Sequence, residues 1–121
     1  DLNKRLRRRF FKIKYLNTPP FISEEERVKI FLSSKVALGW HSDDNIQNNV
    51  IVERVFEGLA YGNVVISDSP MAPEVTDGIV EFMNTYEETK DFLIRIKRDE
   101  KYRLLKTKAG QEWASSPKPR G

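Results

Sequence analysis

The sequence predicts an α/β fold, a mostly parallel sheet flanked by helices, and three observations favour it. Short apolar runs that suit buried strands alternate with segments whose apolar residues recur at helical spacing. Serine, threonine or acidic residues precede several of these helical segments, where they can cap the first turn. A glycine, Gly62, separates the most amphipathic segment from the β-branched run Val64-Val65-Ile66. Strands that alternate with helices form layered structures with a parallel sheet.

The first third of the chain is predicted to contain two strands and a helix. Apolar and basic residues alternate from Phe11 to Tyr15, which suggests a half-buried strand. Ser23-Glu24-Glu25-Glu26 is a capping box and predicts a helix from about Glu24 to Ser33. A second strand is expected from Val36 to Trp40. The polar stretch from His41 to Asn48 then predicts a loop.

The next helix is predicted to begin at Asn49. With 100° per residue, its apolar side chains cover roughly half of the circumference, which is wide enough to lie on a sheet; they are Ile51, Val52, Val55, Phe56, Leu59 and Ala60. Gly62 can adopt the left-handed conformation that commonly ends a helix. Val64-Val65-Ile66 then reads as a strand that is buried on both faces of a parallel sheet.

The remaining elements follow the same signals. The segment from Ser69 to Val75 predicts a turn with one helical turn, Asp77-Gly78 a tight turn, and Ile79 to Phe82 a strand. Thr85-Tyr86-Glu87-Glu88 is a second capping box and predicts a helix through Thr89, Phe92, Leu93 and Ile96. Asp99-Glu100 is expected to open a last helix that passes through Tyr102, Leu105 and Trp113.

Composition limits the classes of protein that fit. The chain has 121 residues, of which 39% are hydrophobic, and this length suits one domain with one core. It has no cysteine, which excludes disulfides and thiolate zinc sites. No apolar run approaches the roughly 20 residues that cross a bilayer. We therefore expect a cytoplasmic protein without a transmembrane segment. Its net charge of +3 is compatible with a position at an anionic membrane surface.

One stretch carries a resemblance to a known family. Arg54 to Asp68 reads Arg-Val-Phe-Glu-Gly-Leu-Ala-Tyr-Gly-Asn-Val-Val-Ile-Ser-Asp. It resembles the nucleotide-binding segment of group 1 glycosyltransferases with the GT-B fold, in the CgeB-like branch, where Arg-x-Phe-Glu-x-Leu-Ala-x-Gly precedes an apolar strand. The resemblance includes Ser34 to His41 and Glu74 to Gly78, and spans roughly residues 23 to 114. It implies a Rossmann-like half of a GT-B fold, the C-terminal domain that binds a nucleotide-sugar donor.

The resemblance implies that Glu57 binds the ribose of the donor. A carboxylate accepts hydrogen bonds at two oxygens, so it can take both vicinal hydroxyls, and its charge strengthens those bonds. The alternative is a solvated helix carboxylate that pairs with Arg54 one turn back. Arg54 itself is either such a surface partner or a cation that helps to bind the diphosphate, and the sequence leaves both open.

Asn49 marks a departure from the wider family. Many group 1 enzymes carry a second glutamate seven intervening residues before the first, near the transferred sugar, and the matching position here is Asn49. The sugar contact is therefore open. We expect Asn49 to cap the helix instead, so that the first N–H groups, around Asn49 to Ile51 and including Val50, can bind the diphosphate.

His41 and Ser42 complete the predicted nucleotide-sugar site. His41 is the only histidine, and it follows a strand at a position from which it could reach a sugar or phosphate. The alternative is a hydrogen-bonded loop residue. Ser42 lacks the Gly-x-Ser-x-Gly elbow of a serine hydrolase. Asp43-Asp44 has no clear partner set for a metal, so we expect no metal or other cofactor besides the donor substrate.

Three segments are expected: residues 1–22 as a basic N-terminal segment with the first strand, 23–114 as the nucleotide-sugar-binding domain, and 115–121 as a flexible basic tail. The resemblance implies a transferase that moves a sugar from a nucleoside diphosphate sugar to a glycan, protein or small-molecule acceptor. The chain is too short for both GT-B domains, so we expect a missing N-terminal domain and an inactive isolated piece, with no catalytic residue assigned.

Two other functions stay open at this point. Basic residues crowd the first fourteen positions beside Phe10 and Phe11, which is compatible with a nucleic-acid-binding module, although no groove-reading motif accompanies them. The departure at Asn49 is compatible with a non-catalytic interaction domain that keeps only the fold.

Overall fold

Three parallel strands and six helices alternate along residues 23–117, the part of the chain that the computed structural model describes. The helices are α1 (Glu24–Ser33), α2 (Asp43–Gln47), α3 (Glu53–Ala60), α4 (Met71–Val75), α5 (Tyr86–Arg98) and α6 (Glu100–Ser115). The strands are β1 (Val36–Gly39), β2 (Val64–Ser67) and β3 (Glu81–Phe82). The predicted α/β class is confirmed. The strand predicted over residues 11–15 and the end of the tail, 118–121, lie outside the described residues.

The sheet has the order β1-β2-β3, and both pairs of strands are parallel. Val36 lies beside Val64 and Ile66 beside Glu81, so β2 is the central strand. All four residues of β2 are buried, as its β-branched sequence predicted. Because the strands are parallel, their carboxyl ends meet at one edge, which we call the carboxyl edge; it is formed by Gly39, Ser67 and Phe82.

Apolar side chains cover both faces of this sheet. One cluster packs α3 and α4 against β2; its buried members are Val55, Leu59, Val65, Ala72 and Val80. A second cluster packs α5 against Ile66, the residue of β2 that follows Val65. Its buried members are Ile66, Met83, Tyr86 and Leu93. The period-two alternation of the strand therefore places Val65 and Ile66 in different clusters. Each such side chain contributes about 1.5–3 kcal/mol when it is fully buried.

Two glycines allow α3 to approach the sheet closely. A Cβ atom at Gly39 would lie 2.5 Å from Cγ2 of Val55, and one at Gly58 would lie 2.8 Å from Cγ2 of Val65. Both distances are shorter than carbon atoms tolerate, so a side chain at either position would push α3 away from the strands.

Three of the predicted helix starts are confirmed. Ser23 accepts a hydrogen bond from the N–H of Glu26 at 3.1 Å, and α1 has the predicted bounds. Thr85 caps α5, and Asp99 caps α6 in the same way. Gly62 ends the turn after α3 with a φ of +88°, as expected of a left-handed residue.

The prediction that the central helix begins at Asn49 is wrong. The helix α3 begins at Glu53, with Val52 at the cap position and no side-chain cap. Asn49 has a φ of +57° in the turn that closes α2, and its N–H donates to the carbonyl of Ile46. The stretch after His41 that was predicted as a loop contains the short helix α2. Ser42 caps this helix, because its Oγ accepts a hydrogen bond from the N–H of Asn45 at 3.2 Å.

The last predicted strand is also shorter than expected. Ile79 and Val80 do not belong to β3 because their N–H groups donate to Thr76, one to its carbonyl and one to its buried hydroxyl. These bonds extend the turn after α4 and leave only Glu81–Phe82 for the sheet. Similarly, β1 ends at Gly39, one residue before the expected end.

Candidate functional site

His41 connects three elements at the carboxyl edge. Its side chain is fully buried, and Nδ1 lies 2.9 Å from Oδ1 of Asp68, the residue that follows β2. The same oxygen accepts the backbone N–H of His41 at 2.9 Å. On the opposite side of the ring, Nε2 accepts the N–H of Val52 at 3.0 Å, at the start of α3. This pattern fixes the neutral tautomer with its proton on Nδ1, which donates to Asp68.

The two alternatives for His41 are therefore separated by its hydrogen bonds. Both ring nitrogens bond to protein groups, and the ring does not face solvent. Ser67 adds a long contact, because its Oγ lies 3.5 Å from Nδ1. His41 is a hydrogen-bonded residue that joins the ends of β1 and β2 to the start of α3. In this structure it positions the carboxyl edge and does not present a free nitrogen to a ligand.

Glu57 lies on α3, one turn after the start of the helix. Its side chain is 22% exposed, so it is neither sealed in the core nor fully solvated. Its Oε2 accepts a hydrogen bond from Nη1 of Arg27 on α1. Oε1 has no partner among residues 23–117. The pairing with Arg54 that sequence spacing suggested does not occur in this structure, and Arg27 is the ion-pair partner of Glu57.

Two side-chain contacts connect α1 with the segment that contains α3. Arg27 meets Glu57, and four residues further along the chain from each of them the ring of Phe31 stacks on that of Tyr61, the residue after α3, at 5.3 Å between centroids. These long side chains bridge the two segments. Because the rise is 1.5 Å per residue, Glu57 lies about 6 Å along the axis from Glu53, the first residue of α3.

Arg27 is shared between two carboxylates. Its Nε and Nη2 donate to the two oxygens of Glu24 at 3.1 and 2.5 Å, while Nη1 is directed to Glu57. The hydrogen bonds that Arg27 donates to Glu24 and Glu57 raise the pKa of Arg27 further above its ordinary range. The hydrogen bond from Arg27 lowers the pKa of Glu24. The fork geometry of guanidinium allows one side chain to serve both acids at once.

The other predicted site residues are not brought together as expected. Val50 is 48% exposed, and its N–H donates to the carbonyl of Asn45 at 2.8 Å. Because the N–H of Asn49 is also bonded, these two amides do not form the predicted diphosphate seat. Ser42 is exposed and caps α2. Arg54 is exposed on the first turn of α3 and has no ion-pair partner within the described part of the chain.

Sequence reasoning missed Arg27 as a part of this region. It placed Asp68 in a turn that flanks the predicted site but did not foresee that this carboxylate bonds twice to His41, 27 residues away. Arg27 lies 30 residues from Glu57. No spacing rule on a single helix connects such distant residues. A helical face argument could have placed Arg27 on α1, but not its partner.

Comparisons with protein-family models, with curated proteins and with solved structures find no match to this chain. The structure itself adds two findings on residues 23–117. Within this range, no group of three or more histidine, cysteine or acidic side chains is arranged to hold a metal ion. None of the helices in the same range is long and apolar enough to cross a bilayer.

The arrangement has a defined chemical capacity. The first turn of α3 lies at the carboxyl edge, where parallel α/β sheets commonly bind ligands. Backbone N–H groups at the start of a helix favour anions. One turn further along α3, the oxygen Oε1 of Glu57 can accept hydroxyl hydrogen bonds. The site therefore combines an anion-favouring helix start with a hydroxyl acceptor, one helical turn apart.

Proposed function

We propose that this chain binds the nucleotide-sugar donor of a glycosyltransferase, with Glu57 as the acceptor for the ribose hydroxyls. One observation carries the proposal: a partly exposed carboxylate on α3 keeps one oxygen without a partner among residues 23–117. The resemblance of the segment from Arg54 to Asp68 to GT-B glycosyltransferases supports the assignment to this class. The parallel α/β architecture is compatible with it.

The diphosphate seat in this proposal differs from the one that the sequence suggested. Since α3 begins at Glu53, the N–H groups that can meet an anion belong to its first turn, not to Asn49 and Val50. Arg54 stands on this turn with an exposed side chain. In the absence of a pair with Glu57, it is a candidate cation for the diphosphate.

These groups would contribute to catalysis through electrostatics. Negative charge grows on the departing nucleoside diphosphate as the glycosidic bond breaks. N–H groups and a guanidinium aimed at that charge stabilise the transition state more than the ground state. Glu57 would hold the ribose at a fixed distance from the helix start, so that the diphosphate reaches these donors. The acceptor and any catalytic base belong to parts of the site that these residues do not supply.

The test is a titration of the full chain with UDP, GDP, UDP-glucose and GDP-mannose, followed by backbone amide chemical shifts. We expect shifts in the first turn of α3 and around Glu57. Glu57→Gln keeps the volume and removes the charge, so we expect roughly tenfold weaker binding, the value of about one charged hydrogen bond. Glu112→Gln makes the same charge change at a side chain on α6 that is 67% exposed and outside the proposed site, so it is the matched control and should bind within about twofold of wild type.

Two results would contradict the proposal. One is the absence of any shift with all four nucleotides at millimolar concentration. The other is binding that Glu57→Gln leaves unchanged. Salt-sensitive binding to DNA in place of nucleotide binding would favour the nucleic-acid alternative, because contacts with phosphate backbones weaken steeply as salt rises.

A further inference from the structure

We propose that Arg27 is a positioning residue for the ribose site and that it makes the site selective for ribonucleotides over 2′-deoxyribonucleotides. This inference rests on the proposed function, since it concerns the orientation of the same carboxylate. Arg27 does not touch the ligand in this proposal. It acts through Glu57, by holding Oε2 so that Oε1 is presented to the diol.

The geometry of the guanidinium supports a holding role. Glu24 binds the side of Arg27 formed by Nε and Nη2, with both carboxylate oxygens engaged. This leaves Nη1 for Glu57. The guanidinium also lies 5.8 Å from the centroid of the Phe31 ring. Three contacts from α1 therefore define where Arg27 sits, and Arg27 in turn defines where the Glu57 carboxylate sits on the neighbouring helix.

Restraint of Glu57 has a direct consequence for affinity. A glutamate side chain has several rotatable bonds, and fixing them when a ligand binds costs free energy. If Arg27 has already fixed them, the ligand meets a carboxylate that is oriented in advance. One hydrogen bond at Oε2 still leaves acceptor positions on both oxygens. The pair with Arg27 is therefore compatible with a diol that binds through two hydroxyls.

Selectivity follows from the same restraint. A fixed carboxylate that is spaced for two vicinal hydroxyls loses a bond when the 2′-hydroxyl is absent, and it cannot turn to compensate. Sites that are built to bind a hydroxyl reject analogues that lack it. A free glutamate could rotate toward the remaining 3′-hydroxyl, so the discrimination would fall. Lysine would not replace Arg27, because an ammonium lacks the planar fork that binds two carboxylates at defined angles.

The experiment compares the affinity of the full chain for UDP and 2′-deoxy-UDP, and for GDP and 2′-deoxy-GDP, by calorimetry. For wild type we expect the ribonucleotide to bind roughly tenfold more tightly than its deoxy counterpart. In Arg27→Met this ratio should fall to about one to three. Arg27→Lys should also lower the ratio, whereas Lys29→Met should keep it. Lys29 is the matched control because it lies on the same helix and forms only an exposed pair with Glu25 at 3.3 Å.

The outcomes separate this inference from the proposed function. If wild type binds none of the four nucleotides, the proposed function fails and this inference fails with it. If wild type prefers ribonucleotides and both Arg27 variants keep the full ratio, the proposed function stands and the role of Arg27 is refuted. Thermal unfolding shows whether each variant is folded. Should Arg27→Met not fold, Arg27→Lys decides the question, since it keeps the charge and most of the side-chain volume.

Discussion

Replacement of His41 by alanine tests how the carboxyl edge is held together. The substitution removes the hydrogen bond between Nδ1 and Asp68, which is 2.9 Å long, and the bond from Val52 N to Nε2, which is 3.0 Å long. Each net hydrogen bond contributes about 1 kcal/mol, and a buried donor that loses its partner costs about 1–3 kcal/mol. We therefore expect His41→Ala to lower the free energy of unfolding by about 2–4 kcal/mol.

Urea unfolding followed by circular dichroism measures this loss. With a slope of about 2 kcal/mol per molar, the midpoint should fall by roughly 1–2 M without a change of slope. His41→Asn separates the contributions of the two hydrogen bonds. The amide nitrogen of the asparagine can still donate to Asp68, but its side chain cannot reach Val52. We expect this variant to lose about half as much free energy as His41→Ala.

Ser42→Ala is the matched control for His41. Ser42 is the next residue in the chain, but it caps only the short, exposed helix α2. Loss of that cap should cost about 1 kcal/mol or less. The interpretation of His41 as a structural connector would be refuted if His41→Ala unfolded within 0.5 kcal/mol of wild type. It would also fail if His41→Asn and His41→Ala were equal.

Three further predictions follow from single contacts. Gly39→Ala should lower the free energy of unfolding by about 1–3 kcal/mol, because the new Cβ lies 2.5 Å from Cγ2 of Val55. A second substitution in the same chain, Val55→Ala, removes that atom and should recover part of the lost free energy. Asn63→Ala should cost about 1–3 kcal/mol, because this buried amide donates to two carbonyls near the end of α1 at 2.9 and 2.6 Å; equal urea midpoints would contradict this. Arg27→Met should raise the pKa of Glu24 toward 4.5, since Arg27 lowers it in the folded chain, and carboxyl NMR titration measures this pKa. The contribution of that pair to stability is present above pH 4.5 and is lost as the pH falls through the lowered pKa of Glu24. If Glu24 titrates in Arg27→Met as it does in wild type, the pair between Glu24 and Arg27 is excluded.

Local signals in the sequence predicted most of the fold. The capping boxes at Ser23 and Thr85 determine where their helices begin, because a side chain and an N–H three residues later suffice to form the cap. Gly62 and the β-branched run after it were equally clear, because a left-handed turn residue and a continuous apolar, β-branched composition are visible in the local sequence. These elements needed no knowledge of distant contacts.

The start of α3 shows where local signals compete. Asparagine favours a helix cap, but it also tolerates a left-handed turn. At Asn49 the turn prevails, because α2 must close before α3 can begin. The sequence did contain a cue for α2: Ser42 followed by two aspartates is a favourable start for a helix.

The candidate site depends on contacts that one sequence does not encode in any local pattern. Glu57 was identified from its motif, whereas the one partner that helical spacing offered for it, as an alternative to the ribose, was Arg54, three residues away. The structure provides Arg27 instead, because its long side chain reaches from α1 to Glu57 on α3. Likewise, the role of His41 became clear only when the ends of β1 and β2 were placed next to each other.

The most direct test of the central claim asks whether the Glu57 side chain lies against the ribose of a bound nucleotide. The measurement is the set of intermolecular nuclear Overhauser effects in the complex of the full chain with UDP, or with GDP if only GDP binds. We predict effects between the Glu57 Hγ protons and the ribose H2′ and H3′ protons, together with a shift of the Glu57 carboxyl carbon. A saturated complex in which the ribose protons contact other residues and the Glu57 carboxyl carbon does not move would contradict the account.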